Sequence, residues 1–222
     1  MVNVVHVPRQ VDHDQRRREI VGALFRVAAR DGLAAVSIRN VAAEAGVRAS
    51  QVQYYFGTKT SLFEGALQVL GERIVGRGMA LQQAAGPDAS PEALIRAALA
   101  GSQPTDDEGR QSLVLFFLFY VAAVTQSAGY ETQLIAAQRF IVDYFAGLIR
   151  QAQERGEADP DLDPDHEGRL ILFANTGLIL GALAGIHPVD DAVATMSYQV
   201  GRVFRQRAVG ARRTRRTGPR PS

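Results

Sequence analysis

Residues 38–57 read IRNVAAEAGVRASQVQYYFG. Two short helices that cross closely need a small residue at the crossing, a residue that turns the chain between them and an apolar anchor on the second helix. Ala42, Gly46 and Val52 stand at those three places. Gly46 can take the positive φ that ends the first helix, and Val41, Ala45, Val47 and Tyr55 fall at spacings suited to a buried side. Toward solvent the second helix keeps Arg48, Ala49, Ser50, Gln51, Gln53 and Tyr54, a set of donors and acceptors without an acid. Glutamine can pair bidentately with adenine, arginine with guanine or phosphate, and serine with a base or a phosphate. Ser37 suits both an N-cap and a phosphate contact, because helix N-termini present free amides to anions. Taken alone, the stretch also fits an ordinary helical hairpin that turns on a glycine.

The continuation narrows the choice. Tyr54-Tyr55-Phe56-Gly57-Thr58-Lys59 is followed by Leu62 and Phe63, so aromatic residues wedge the hairpin against a long next helix with Lys59 at the junction. From Gln15 to about Leu67, with SIRNVAAEAGV, then YYF, then GTK and SLF in order, the sequence resembles the TetR family of one-component transcriptional regulators. The resemblance implies a three-helix DNA-binding domain, a fourth helix leading to a ligand domain, a homodimer, and repression relieved by a small molecule. It places Ser37 and Arg39 where the family touches DNA from its second helix, Arg48 through Tyr54 on the recognition helix, and Tyr55 and Lys59 at phosphate contacts. Two positions depart from the pattern. Arg48 stands where a capping Ser or Thr is common, which leaves the helix start open between Arg48 and a cap at Ser50. Gln53 stands where Tyr is common, which changes the base that can be read.

Charge follows the same division. Residues 1–62 hold nine basic and five acidic residues, a net +4; residues 63–201 carry a net −10 and residues 202–222 a net +8. A small basic module, an acidic body and a basic tail follow from that split, and basic modules seek polyanions. We therefore expect a DNA-binding domain over 1–58, a helical ligand-binding and dimerisation domain over 59–207, and a disordered Arg-rich tail over 208–222, which serves either solubility or auxiliary phosphate binding. There is no cysteine among the 222 residues, which excludes a thiol nucleophile or disulfide framework, and the four histidines are too scattered for a metal cluster. No cofactor is expected. The first twenty residues lack an apolar run of signal-peptide length, so a cytoplasmic location is expected.

The chain reads as all-α, with apolar residues at helical rather than alternating spacing. Nine helices are expected, over 14–31, 38–45, 49–55, 59–84, 91–101, 107–127, 130–155, 164–185 and 188–206. Ser90-Pro91 and Asp163-Pro164 give two of them an N-cap followed by proline.

Half of the aromatic residues fall within 113–145. They make either a plain core or a mostly apolar ligand cavity oriented by Gln126, Gln133 or Asn175. The cavity reading takes Phe116, Phe119, Tyr120, Phe140, Tyr144 and Asn175 as lining. The runs at 113–124 and 170–186 are too short or too polar to span a membrane, which takes about 20 apolar residues. Gly177, Gly181 and Gly185 recur every fourth residue beside Ala182 and Ala184, a side of little bulk suited to close packing in the core or across a two-fold axis. From Asp163-Pro164 through LxxxANTGLILGAL to Phe204 the order is similar to the betaine-regulator (BetI-like) branch of the same family. That resemblance implies a four-helix dimer bundle, with Gly177, Gly181, Ala184 and Gly185 and, on the last helix, Val200 and Phe204 at the interface. The run DPDLDPDHEG at 159–168 fails the spacing of a calcium loop and suits a helix N-terminus instead.

A dimeric, ligand-responsive repressor of a pseudo-palindromic operator is the function these features favour. The alternatives are a nonspecific architectural DNA binder and a helical enzyme with an apolar substrate pocket. For the enzyme the sequence offers no paired His and carboxylate, nucleophile elbow or phosphate loop.

Overall fold

The computed structural model describes residues 9–125 and 129–204. Among these the chain forms nine α-helices and a single 3-10 turn, Leu33–Ala35, after the first of them. The helices are α1 (Arg9–Asp31), α2 (Ile38–Ala45), α3 (Ala49–Phe56), α4 (Lys59–Ala85), α5 (Pro91–Gly101), α6 (Asp107–Thr125), α7 (Glu131–Glu154), α8 (Pro164–Leu183) and α9 (Val189–Val203).

Local chemistry sets most of the boundaries. Ser37, Thr58 and Ser90 cap α2, α4 and α5, each accepting from the backbone N–H three residues on, and Pro91 and Pro164 open their helices as expected. The Asp163 side chain accepts from the amides of Asp165 and His166. Those bonds, that to His166 foremost, hold its carboxyl below the usual range, so the acidic run serves the start of α8.

Several ends differ from expectation by one to five residues, and two of them have a plain local cause. The first helix begins at Arg9 rather than 14, since extending a formed helix by a turn costs little even without an apolar pattern. The eighth ends at Leu183 rather than 185. Gly185 takes φ 75°, and the Gly185 and Ile186 amides turn back to the carbonyls of Ala182 and Gly181. Only Gly177 and Gly181 of the three spaced glycines therefore lie on the helix.

Two apolar clusters form the core. The first joins α1 to α4 and takes in Leu115 and Phe119 of α6 together with Tyr130. The second is built from α5, α7, α8 and α9 around Ile95, Ile149, Ile171 and Val200. The 113–124 segment thus does not belong wholly to the body: one side of α6 is packed against the hairpin domain. Phe119, Phe63 and Tyr130 meet edge to face with ring centroids 5.5–5.7 Å apart. Between α4 and α5, a Cβ on Gly101 would collide with the Gly78 backbone, so glycine at 101 lets these two helices approach backbone to backbone.

Candidate nucleic-acid interface

The turn between α2 and α3 is built as its residues require. Gly46 sits at φ 67°, ψ 29°, with the Gly46 amide donating to Ala43 O and the Val47 amide to Ala42 O at 3.2 and 3.0 Å. A side chain with a Cβ is strained in that conformation. Val41, Ala42, Val52 and Phe56 are buried where the helices cross. The expectation that the cap shifts to Ser50 is corrected: α3 starts at Ala49, with Arg48 extended at the N-cap and making no side-chain cap bond. The arginine's side chain is left exposed beside the helix N-terminus.

On the outer side of α3, Arg48, Ala49, Ser50, Gln53 and Tyr54 are exposed and Gln51 is half-buried. Tyr54 is 77% exposed, the form of a side chain held out for a partner rather than for the core. Arg39 on α2 and Lys59 at the start of α4 are exposed, with Lys59 Nζ 5.2 Å from the centre of the Phe63 ring. Ser37 Oγ is occupied as the cap, accepting from the Asn40 amide at 3.1 Å, and retains its hydroxyl proton for a phosphate. Tyr55 is half-buried. Of these ten residues, seven are exposed, while Ser37, Gln51 and Tyr55 are half-buried, and Tyr55 packs on the first core cluster.

Electrostatics divides the arginines into tied and free. Arg26 and Arg30 of α1 both bind Glu44 of α2, at 2.7 and 3.0 Å. Those two bonds, Arg26 first, hold the Glu44 carboxyl below the usual glutamate range, so it stays ionised and paired at neutral pH. The acid of the hairpin is thus neutralised on the side toward α1. Among the described residues Arg39 and Arg48 have no carboxylate partner, which leaves their charge for phosphate or guanine.

Sequence reasoning missed two residues here. Arg17 of α1 donates to Tyr55 O and stacks its guanidinium 4.4 Å from the centre of the Phe56 ring, clamping the C-terminal end of α3. His13 lies 4.7 Å from the Tyr55 ring and 6.4 Å from that of Tyr54. The Arg16–Arg18 run was legible only as charge; no short-range spacing joins Arg17 to a residue 38 positions on.

The family model for bacterial regulatory proteins of the tetR family matches residues 20–66, from the middle of α1 to the start of α4. Beyond it, the HTH-type transcriptional regulator PksA of Bacillus subtilis is 26% identical over 200 residues, 90% of this chain and 91% of that one. The chain thus matches that family's model through the hairpin and its flanking helices, and is similar over nine-tenths of its length to a transcriptional regulator. The HTH-type transcriptional regulator BetI of Brucella anthropi is 29% identical over 108 residues, 49% of this chain and 54% of that one. A TetR-family regulator from Rhodococcus sp. superposes with a TM-score of 0.77 at 23% identity, over 86% of this chain and all of that one. All three of these relatives are transcriptional regulators by name.

The residues expected to line an effector cavity do not converge. Phe119 belongs to the first core cluster, locked between Phe63 and Tyr130, and is not a cavity wall. Phe140 is 70% exposed on α7, which corrects its placement in a pocket. Phe116 and Tyr120 are half-buried neighbours with ring centroids 6.0 Å apart. Tyr144 accepts from Gln82 Nε2 at 2.9 Å. Asn175 is buried among polar groups of α5 and its following turn, away from these rings. Gln133 donates to the Glu64 carbonyl, and Gln126 lies outside the described residues.

The dimer residues also separate. Gly177 and Ala184 are exposed; Gly181 is covered by His187, and Gly185 lies beyond the end of α8. Val200 is fully buried within the chain and Phe204 packs on the same cluster, so Val200 has no surface to offer a second copy. The exposed apolar side of α8 is instead Leu170, Phe173, Gly177 and Leu180, at helical spacing. No helix among the described residues is long and apolar enough to cross a membrane.

Proposed function

We propose that this regulator is a cytoplasmic homodimeric repressor that places α3 in the major groove of a pseudo-palindromic operator and is released by a small molecule. The observation that carries the reading is the acid-free, exposed side of α3, flanked by Arg39 and Lys59 with no acid on that face. Ser37, Arg39, Tyr55 and Lys59 hold the backbone, while Arg48, Ala49, Ser50, Gln51, Gln53 and Tyr54 face base edges. Residues 1–58 serve as the DNA-binding domain and 59–207 as the ligand and dimer domain, while the basic tail from 208 lies outside the described residues.

Release is geometric. Two recognition helices engage successive major grooves only about 34–36 Å apart. The core shared by α1, α4 and α6 makes movement of α6 within the body a movement of the hairpin as well. An effector that favours another spacing therefore weakens operator binding, and the operator weakens the effector equally.

The dimer forms through the apolar side of α8, with Gly177 and Ala184 allowing close approach and Phe173 and Leu180 supplying buried area. Leu180→Glu is expected to give a folded monomer in sedimentation velocity and to weaken operator binding by roughly a hundredfold or more, because each half-site then binds alone. A Leu180→Glu protein that sediments as a dimer rules this side of α8 out as the interface.

A further inference from the structure

Where the end of α5 meets the start of α6, the body holds a polar cleft of about 240 Å³ against α4. Gln103 and Ser112 line it, and both are more than nine-tenths buried. The orientation of Gln103 is set by its neighbours. Its Nε2 donates to Leu99 O at 3.0 Å and to Asn175 Oδ1 at 2.9 Å; Asn175 Nδ2 donates to Ser102 Oγ, which in turn donates to Leu99 O. Flipping the amide would set an oxygen against two acceptors, so Oε1 is the end of the amide left unbonded beside the cleft. Neither Gln103 Oε1 nor Ser112 Oγ has a hydrogen-bond partner among the described residues, and both atoms are buried.

A buried acceptor without a partner is costly, and an apolar residue of the same shape would avoid the cost. Two such groups in one cleft indicate a site shaped for a molecule that donates hydrogen bonds. The charged residues lining the cleft are Arg73 and Arg77 of α4 and, about the start of α6, Asp106 and Glu108. Arg77 is committed, binding Asp106 at 2.7 Å and Thr105 at 3.0 Å, while Asp106 also caps α6 by accepting from the Gly109 amide. Arg73 stacks on Phe25 at 5.3 Å and has no carboxylate partner among the described residues.

We infer that this cleft binds a small hydroxy or amino acid, whose N–H or O–H satisfies Gln103 Oε1 and Ser112 Oγ while its carboxylate faces Arg73. The mostly apolar cavity expected from the sequence is centred on the aromatic residues of 113–145, a segment of which only the Leu113 end borders this cleft, although Asn175, expected to orient that cavity, bonds Gln103 here. The occupant touches α4, the helix that carries Arg73 and Arg77 and leads directly from α3. Its regulatory consequence rests on the ligand-released repressor proposed above; the binding itself does not.

The test uses the full chain without DNA. The probes are two matched sets: lactate, propionate and propane-1,2-diol; and mandelate, phenylacetate and 1-phenylethane-1,2-diol. Choline is the cationic control. At about 10 mM a hydroxy acid is expected to raise the melting temperature by about 3–5 °C. Calorimetric titration should show the partners lacking the hydroxyl or the carboxylate to bind at least about tenfold more weakly, as a donor left unmatched at a buried acceptor implies. Ser112→Ala removes only an unbonded hydroxyl, so it folds, and it should weaken binding as Gln103→Leu does. The inference is overturned if neither hydroxy acid binds, if the hydroxyl-free acids bind equally well, if choline binds best, or if Ser112→Ala and Gln103→Leu both leave binding unchanged. A second arm adds operator DNA. Binding in the cleft without change in DNA occupancy leaves this inference standing and removes the effector reading; release by other compounds, unaffected by Gln103→Leu, does the reverse.

Discussion

Replacing Gln53 and Tyr54 together by alanine is expected to lower affinity for the operator by roughly 150- to 1000-fold, about 3–4 kcal/mol for two base-edge contacts. Both side chains are exposed on α3, so the loss cannot come from the core. Among the described residues the Tyr54 ring stands against those of Tyr55 and His13, and removing it costs stability at the scale of one aromatic pair, about 1 kcal/mol. Neither residue carries charge, so the dependence of binding on salt should keep its slope while discrimination between operator and unrelated duplex falls. Arg39 or Lys59 replaced by glutamine should do the opposite and reduce that slope. Fluorescence anisotropy with operator and scrambled duplex at several salt concentrations separates the two patterns. If the double variant keeps both affinity and sequence preference, α3 is not the reading helix.

Phe119→Ala is expected to destabilise the protein by about 3–5 kcal/mol, the usual cost of deleting a buried aromatic side chain. The ring is fully buried and held by Phe63 from α4 and by Tyr130 at the start of α7. For a chain of this size that corresponds to a fall of about 10 °C or more in melting temperature. Phe140→Ala, on an exposed side of α7, should change stability by no more than about 0.5 kcal/mol. Because Phe119 belongs to the core shared with the hairpin domain, its loss should also impair DNA binding near the melting range. Thermal unfolding of the two variants decides the matter: equal melting temperatures would mean that α6 is not anchored to the DNA-binding domain through this ring.

The hairpin was legible because its signals are local. Gly46 between two short helices, Ser37 three residues before the amide it caps, and the acid-free run from Arg48 to Tyr54 need only helical periodicity and turn chemistry to be read. The Arg17 clamp on α3 and the Gln103, Asn175 and Ser102 network were not, since each joins residues dozens of positions apart with no sequence spacing to announce them. The aromatic residues of 113–145 illustrate a different limit. Composition showed them to be dense, but periodicity cannot say which side of a helix apolar all round meets the core, which the exposed surface or a ligand. Phe119 went to the shared core and Phe140 to the surface. The glycine repeat misled in the same manner: Gly185 keeps the spacing of Gly177 and Gly181 yet serves to end α8.

That this protein reads one operator as a two-fold pair is tested most directly by selecting bound sequences from a random duplex pool at two salt concentrations. The result expected is enrichment of one pseudo-palindrome, with half-sites about one helical turn apart, retained at the higher salt. Binding without enrichment that collapses as salt rises would contradict it, leaving phosphate attraction alone and an architectural DNA binder in place of a repressor.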